Sequence, residues 1–133
     1  MSDVSAVLSA NRAFYRAFAS RDPEAMTALW ACEGPVACIH PGWDVLRDRA
    51  AIFKSWRNIL SNPHSPAVMC RNETAHVLGD VAYVLCHEVV DDAYLVATNL
   101  FVREKGQWKM AHHQSGPLAN PPEQAEKPPQ RLQ

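Results

Sequence analysis

Trp108 to Gly116 reads WKMAHHQSG, two adjacent histidines and a glutamine in a run whose other residues suit a β-strand. Neighbouring strand residues point to opposite faces, so only one of His112 and His113 can face a given site. An imidazole changes charge near neutrality and can give, take or share a proton. The upstream segments supply partners: Glu88 is the one acid in VAYVLCHEVV, and Asn99 the one amide in AYLVATNLFVRE. A carboxyl enclosed by apolar residues is pushed toward its protonated form, which fits it for general acid–base work. With His112 as base, acid or donor, and Asn99 and Gln114 holding a carbonyl or enolate oxygen, Glu88 would support cofactor-independent proton transfer next to a carbonyl, or a dehydration. The same residues also suit a buried polar network in which Glu88, Asn99 and His112 satisfy one another.

Positioning these groups requires a sheet. From Ser65 onward the hydrophobic period is that of strands, and Gly79-Asp80, Asp91-Asp92 and Lys105-Gly106 punctuate four of them. Short turns make this an antiparallel meander. The segments before it read differently. Asp3 caps a helix over Val4 to Ser20, with Val4, Val7, Leu8, Phe14, Tyr15 and Phe18 on one stripe. Asp22-Pro23 starts a second helix that carries Met26, Leu29 and Trp30 inward and ends near Cys32. Val36 to His40 is a short strand stopped by Pro41-Gly42, and Asp48 caps a third helix bearing Ile52, Phe53, Trp56, Ile59 and Leu60. Helices in one block and a curled sheet in the next predict an α+β domain over 1–117, with a Pro-rich, disordered tail over 118–133.

Two-residue turns fix a register. Asn99 then opposes His112 and Ala97 opposes Gln114, which puts Glu88, Asn99, Phe101, Trp108, Met110, His112 and Gln114 on one face. The other face holds Tyr83, Leu85, His87, Val96, Thr98, Leu100, His113 and Ser115. One bulge in the last strand would exchange His112 and His113. The first face suits packing under the helices, and the flatter second face suits a homodimer contact through the sheet. His40, at a strand end beside a loop, and Trp43, as a lid, are the further candidates for a pocket. Phe14, Phe18, Trp30, Ile39, Trp56, Val84, Phe101 and Met110 are the candidates for its apolar wall. The expected ligand is a small hydrophobic or aromatic molecule.

The bulk numbers exclude several classes. The chain has 133 residues, 47% hydrophobic and 20% charged, with 13 basic and 14 acidic residues, which is ordinary for one globular domain. No basic cluster marks a nucleic-acid partner. The N-terminus lacks a basic start with a long apolar run, and no apolar stretch reaches membrane-spanning length, so the reading is cytoplasmic, with no membrane partner. Cys32, Cys38, Cys70 and Cys86 show no paired spacing and are read as reduced, buried thiols. No metal set or cofactor motif is present in the pattern.

The phrases DPEAMTALW, CIHPGWDVLRD, GDVAYVL and ATNLFVREKGQWKMAHHQSG resemble the SnoaL-like branch of the nuclear transport factor 2 (NTF2-like) superfamily, over about residues 4–117. The closing phrase also resembles the association domain of calcium/calmodulin-dependent protein kinase II. The resemblance implies an open cone, three helices on a curved antiparallel sheet, a pocket between them, and a homodimer formed through the sheet. It implies that Glu88, Asn99, His112 and Gln114, with His40, line that pocket. The Asp–Arg–Asp set of epoxide hydrolases of this fold is not matched, nor is the tyrosine with two acids of its steroid isomerases. The kinase hub carries arginines where this chain has Asn99 and Gln114 or Ser115. Three functions follow as expectations: an isomerase, dehydratase or cyclase-type enzyme, a non-catalytic binder of small molecules, or an oligomerisation module.

Overall fold

The computed structural model describes residues 2–122. The expectation for the tail falls largely on residues 123–133, outside the described ones. Three helices precede the meander: α1 (Asp3–Ala19), α2 (Pro23–Ala28) and, after the short strand β1 (Ala37–Ile39), α3 (Arg49–Ser61). Asp22 and Asp48 cap α2 and α3 through the Ala25 and Ala51 N–H groups, as their positions before Pro23 and Arg49 predict. At α1 the cap is Ser2, whose hydroxyl accepts the Ser5 N–H; Asp3 sits one residue inside and pairs with Arg103 at 3.2 Å. The second helix stops at Ala28, short of Cys32, because residues 29–31 leave it to pair with the sheet.

The four long strands are β2 (Met69–Leu78), β3 (Val81–Val90), β4 (Ala93–Glu104) and β5 (Gln107–Pro117), in the sheet order β1-β5-β4-β3-β2. All three two-residue turns close as read: Leu78 opposes Val81, Val90 opposes Ala93 and Glu104 opposes Gln107. In the last turn Lys105 and Gly106 both have positive φ, the conformation that matches strand twist and that glycine adopts at no steric cost.

One register expectation is overturned. Phe101 opposes Met110 but Leu100 opposes His112, so Ala111 is an extra, unpaired residue in β5. Asn99 therefore opposes His113, and Ala97 opposes Ser115. The bulge lies where the outer edge of β5 changes partner. The Leu29–Ala31 segment bonds Met110 through Met110 N–H to Leu29 O (2.9 Å) and Ala31 N–H to Met110 O (2.8 Å), and β1 then pairs in parallel with His112 to Gln114. A second irregularity sits between Arg71 and Thr74 in β2, with Asn72 at positive φ.

The inner face packs under the helices. Val84, Cys86, Ala97, Phe101 and Met110 are buried against Phe14, Met26, Trp30, Ile52 and Trp56. Phe14 sits at the centre, its ring meeting those of Tyr15 (4.8 Å), Trp56 (5.5 Å) and His113 (4.9 Å) edge-on or tilted. No helix among the described residues is long and apolar enough to cross a membrane.

Candidate functional site

A cavity of about 340 Å³ lies between the helices and the sheet, near the β3–β4 turn. Phe18 of α1 and Trp56 and Ile59 of α3 form one wall, and His40, Pro41 and Trp43 follow β1. Ser65, Pro66 and Val68 lead into β2, while Glu88, Val90, Leu95 and His113 come up from the sheet. His40, Trp43, Trp56 and Glu88 thus meet at the cavity. Trp43 is half exposed at the mouth, its ring edge-on to His40 at 4.8 Å.

Four placements need correction. The Ala111 bulge turns His112 and Gln114 to the outer face, where His112 is half-buried and Gln114 exposed. Asn99 and Phe101 are on the inner face but fully enclosed by protein, away from the cavity lining. Neither Asn99 nor Gln114 can serve as an oxyanion donor. The Asn99 amide gives its hydrogens to Asn11 Oδ1 at 2.8 Å and Tyr15 OH at 3.1 Å, and Gln114 points the other way. Of the other expected wall residues, Phe14, Trp30, Val84 and Met110 are core. Cys32 is exposed and Cys70 half-buried; only Cys38 and Cys86 are the buried thiols expected.

Glu88 is 3% exposed and held at both oxygens. Tyr15 OH donates to Oε2 at 2.6 Å and Ser115 Oγ to Oε1 at 2.7 Å. Burial raises its pKa above the usual carboxylate range, and the two hydrogen bonds oppose that shift. Burial, reinforced by the Glu88 charge, pushes the Tyr15 phenol well up, so Tyr15 stays a donor. In the sequence Tyr15 is one residue of an apolar helical stripe; the fold makes it half of a tyrosine–acid pair across α1 and β3.

The protonation of His113 is fixed by a chain that starts at the surface. Glu73, paired with Arg12 at 2.8 Å, can only accept, so Asn11 must present its NH₂ to it (3.0 Å). Asn11 Oδ1 then faces the Asn99 NH₂, which leaves Asn99 Oδ1 toward His113 Nδ1 at 2.6 Å. Nδ1 must therefore carry the proton, and Nε2 is the bare lone pair left for the cavity. Burial, helped by His112, lowers the His113 pKa to about 3, so the ring is neutral. His40 is oriented in the same way. Ser55 commits its hydroxyl proton to Ile52 O at 2.7 Å, so the 2.9 Å contact with His40 Nε2 needs the proton on the imidazole. Burial lowers the His40 pKa to about 4, with His113 adding to the effect, which leaves Nδ1 bare. Asn11 and Ser55 have no role among the sequence expectations, and Ser115, expected on the outer face with His113, turns inward with it. Asn11 had a signal, a polar residue spaced four before Tyr15 on an apolar stripe.

Among the described residues no three His, Cys, Asp or Glu side chains group to hold a metal ion. The floor of the cavity is a carboxylate and two neutral imidazoles whose N–H groups are already spent inside the protein, so what each has left to offer is an acceptor.

Residues 7–120 match the family model of the SnoaL-like domain. The chain belongs to the SnoaL-like family. A proposed dehydratase of the NTF2-like family from Streptomyces avermitilis is 33% identical, with a TM-score of 0.81, over 89% of this chain and 97% of that one. A proposed calcium/calmodulin-dependent protein kinase type II association domain from Thiobacillus denitrificans is 30% identical, with a TM-score of 0.75, over 84% and 94%. The F-box protein SKIP8 of Arabidopsis thaliana is 27% identical over 112 residues, 83% of this chain. This SnoaL-like chain spans about half of that curated relative, 48% of its length. The expected α+β cone of NTF2-like type is thus the fold of the chain.

Proposed function

We propose that this SnoaL-like protein binds a small, largely apolar molecule in the cone, held by Glu88, His40 and His113 at the floor. The observation that carries the reading is the cavity of about 340 Å³ whose polar floor is already oriented by hydrogen bonds to the protein. Apolar walls with a few fixed polar groups are the usual make-up of a small-molecule site. Binding is better supported than carbonyl-activating isomerase or dehydratase chemistry, because the Asn99 N–H groups are both spent inside the protein. Proton transfer by Glu88 is the one route to turnover the floor offers. The test is a protein-observed NMR titration with small aromatic and aliphatic compounds, in D₂O for any probe with exchangeable α-hydrogens. Shifts confined to Trp43, Trp56 and His113 are expected. Shifts on the outer sheet face alone, or none, would end the reading. Glu88-dependent deuterium exchange would show an enzyme.

A second reading concerns assembly and is compatible with the first. The outer face leaves Leu85 (41%) and Val96 (43%) exposed beside half-buried Tyr83, Leu100 and His112. We infer that two copies meet through this face, a reading supported by the association-domain relative from Thiobacillus denitrificans.

A further inference from the structure

The cavity carries a negative group without a counter-charge. Among the described residues Glu88 is the only acid in its lining, and no lysine or arginine lines it. Its hydrogen-bond partners Tyr15 and Ser115 are neutral. A buried carboxylate in an apolar cavity is costly unless a cation answers it. The two other floor groups are neutral imidazoles whose N–H groups are committed to Asn99 and Ser55, so each offers only a lone pair. The neutral donors in the lining are the Ser65 hydroxyl and the indoles of Trp43 and Trp56, and the Trp56 Nε1 is completely covered by protein.

Resting on the reading that the cavity binds a small molecule, we infer that its ligand is a primary organic ammonium ion with an apolar body. Such a head has three N–H donors for three acceptors, Glu88, His40 Nδ1 and His113 Nε2, and its charge answers the carboxylate. The ring geometry admits it. The His40 and His113 centroids are 6.5 Å apart. Two rings accepting from one nitrogen at about 2.9 Å, each centroid about 1.1 Å behind its own nitrogen, have that separation when the angle at the shared atom is about 110°. A tetrahedral ammonium has this angle. The rings of Phe18, Trp43 and Trp56 on the walls give the apolar body its contacts. A hydroxyl has one hydrogen and no charge, and can serve only one of the three acceptors. A carboxylate or phosphate would meet three acceptors and a like charge.

The test is a matched set of four probes, phenethylamine, phenethyl alcohol, propylbenzene and hydrocinnamate, titrated into the full chain by NMR at neutral pH. The amine is expected to bind about tenfold or more tighter than the alcohol and propylbenzene, and hydrocinnamate weakest. In Glu88→Gln the amine's advantage over propylbenzene is expected to shrink to about threefold or less. The wild-type series decides alone should that variant not fold. Equal binding of propylbenzene and the amine overturns the inference while leaving the cavity a ligand site. Preference for the alcohol or for hydrocinnamate also overturns it. Binding by none of the four ends this inference and the binding reading together.

Discussion

His113 shows how far a single proton can be decided by distant residues. Its tautomer follows from Glu73 at the surface through two asparagine amides, each of which can only be turned one way. The consequence can be read in solution. His113 and His40 have their pKa values lowered to about 3 and about 4 by burial, against 6.5 for an ordinary imidazole. As pH falls below 6.5 the unfolded chain takes up these protons and the folded one does not, so stability present at neutral pH is lost from about pH 6.5 down to about pH 4 for His40 and about pH 3 for His113. At pH 5 each ring forfeits roughly 2 kcal/mol. Glu88 works the other way, since its raised value lets the folded form take up a proton earlier in the same descent. Two rings against one carboxyl leave a net loss. Urea midpoints measured from pH 7.5 to 5 are expected to fall steadily, and the fall to shrink in His113→Gln and in His40→Gln. A midpoint that stays level or rises on acidification would contradict neutral, buried imidazoles. At this scale the sequence revealed the residue types but not their partners. Glu88 and Asn99 stand out as lone polar residues in apolar strands, whereas Tyr15 and Ser115 look like stripe and strand residues until β3, β5 and α1 are stacked.

Turn chemistry and helix caps made the elements readable, because Gly79-Asp80, Asp91-Asp92, Lys105-Gly106, Asp22 and Asp48 each act over a few neighbouring residues. The bulge in β5 is set by tertiary structure, where the strand's outer edge passes from the Leu29–Ala31 segment to β1. Its trace in the sequence is faint: Met110 and Ala111 are consecutive apolar residues in a strand that otherwise alternates, and both are buried. Since Ala111 is the unpaired residue, deleting it leaves Phe101 opposite Met110 and Leu100 opposite His112. His113 then still lies beneath the helices. The deletion is expected to fold cooperatively, at a cost of about 1–3 kcal/mol for lost contacts and altered strand bend. Its His113 imidazole ¹⁵N shifts should still report a protonated Nδ1. A variant lacking Ala111 in which His112 carries that signature would show that the bulge is not the origin of the facing.

The outer sheet face joins all four meander strands into one surface, and it is too apolar for a face turned only to water. An antiparallel sheet with one wet side should alternate cleanly between apolar and polar residues. Here Leu85 sits across from Thr98, Tyr83 from Leu100, and Val96 from His87, a nearly continuous apolar band with His112 and Gln114 at its edge. A chain of 133 residues buries a smaller share of its surface than a large protein does, so covering such a band with a second copy is a direct way to gain stability. The symmetry of a two-fold contact would bring each band onto its counterpart. Light scattering on the wild-type chain is expected to give twice the monomer mass of 14.8 kDa at micromolar concentration. Leu85→Glu with Val96→Glu places two like charges on each copy of the contact. Both side chains are over 40% exposed in the single chain, 41% and 43%, so the double variant should fold as a monomer. Its cavity lies on the other side of the sheet and should bind the same probes as the wild type. A wild-type chain that stays monomeric at every concentration would leave the band without a second copy to cover it. Masses well above the dimer would point instead to higher assemblies.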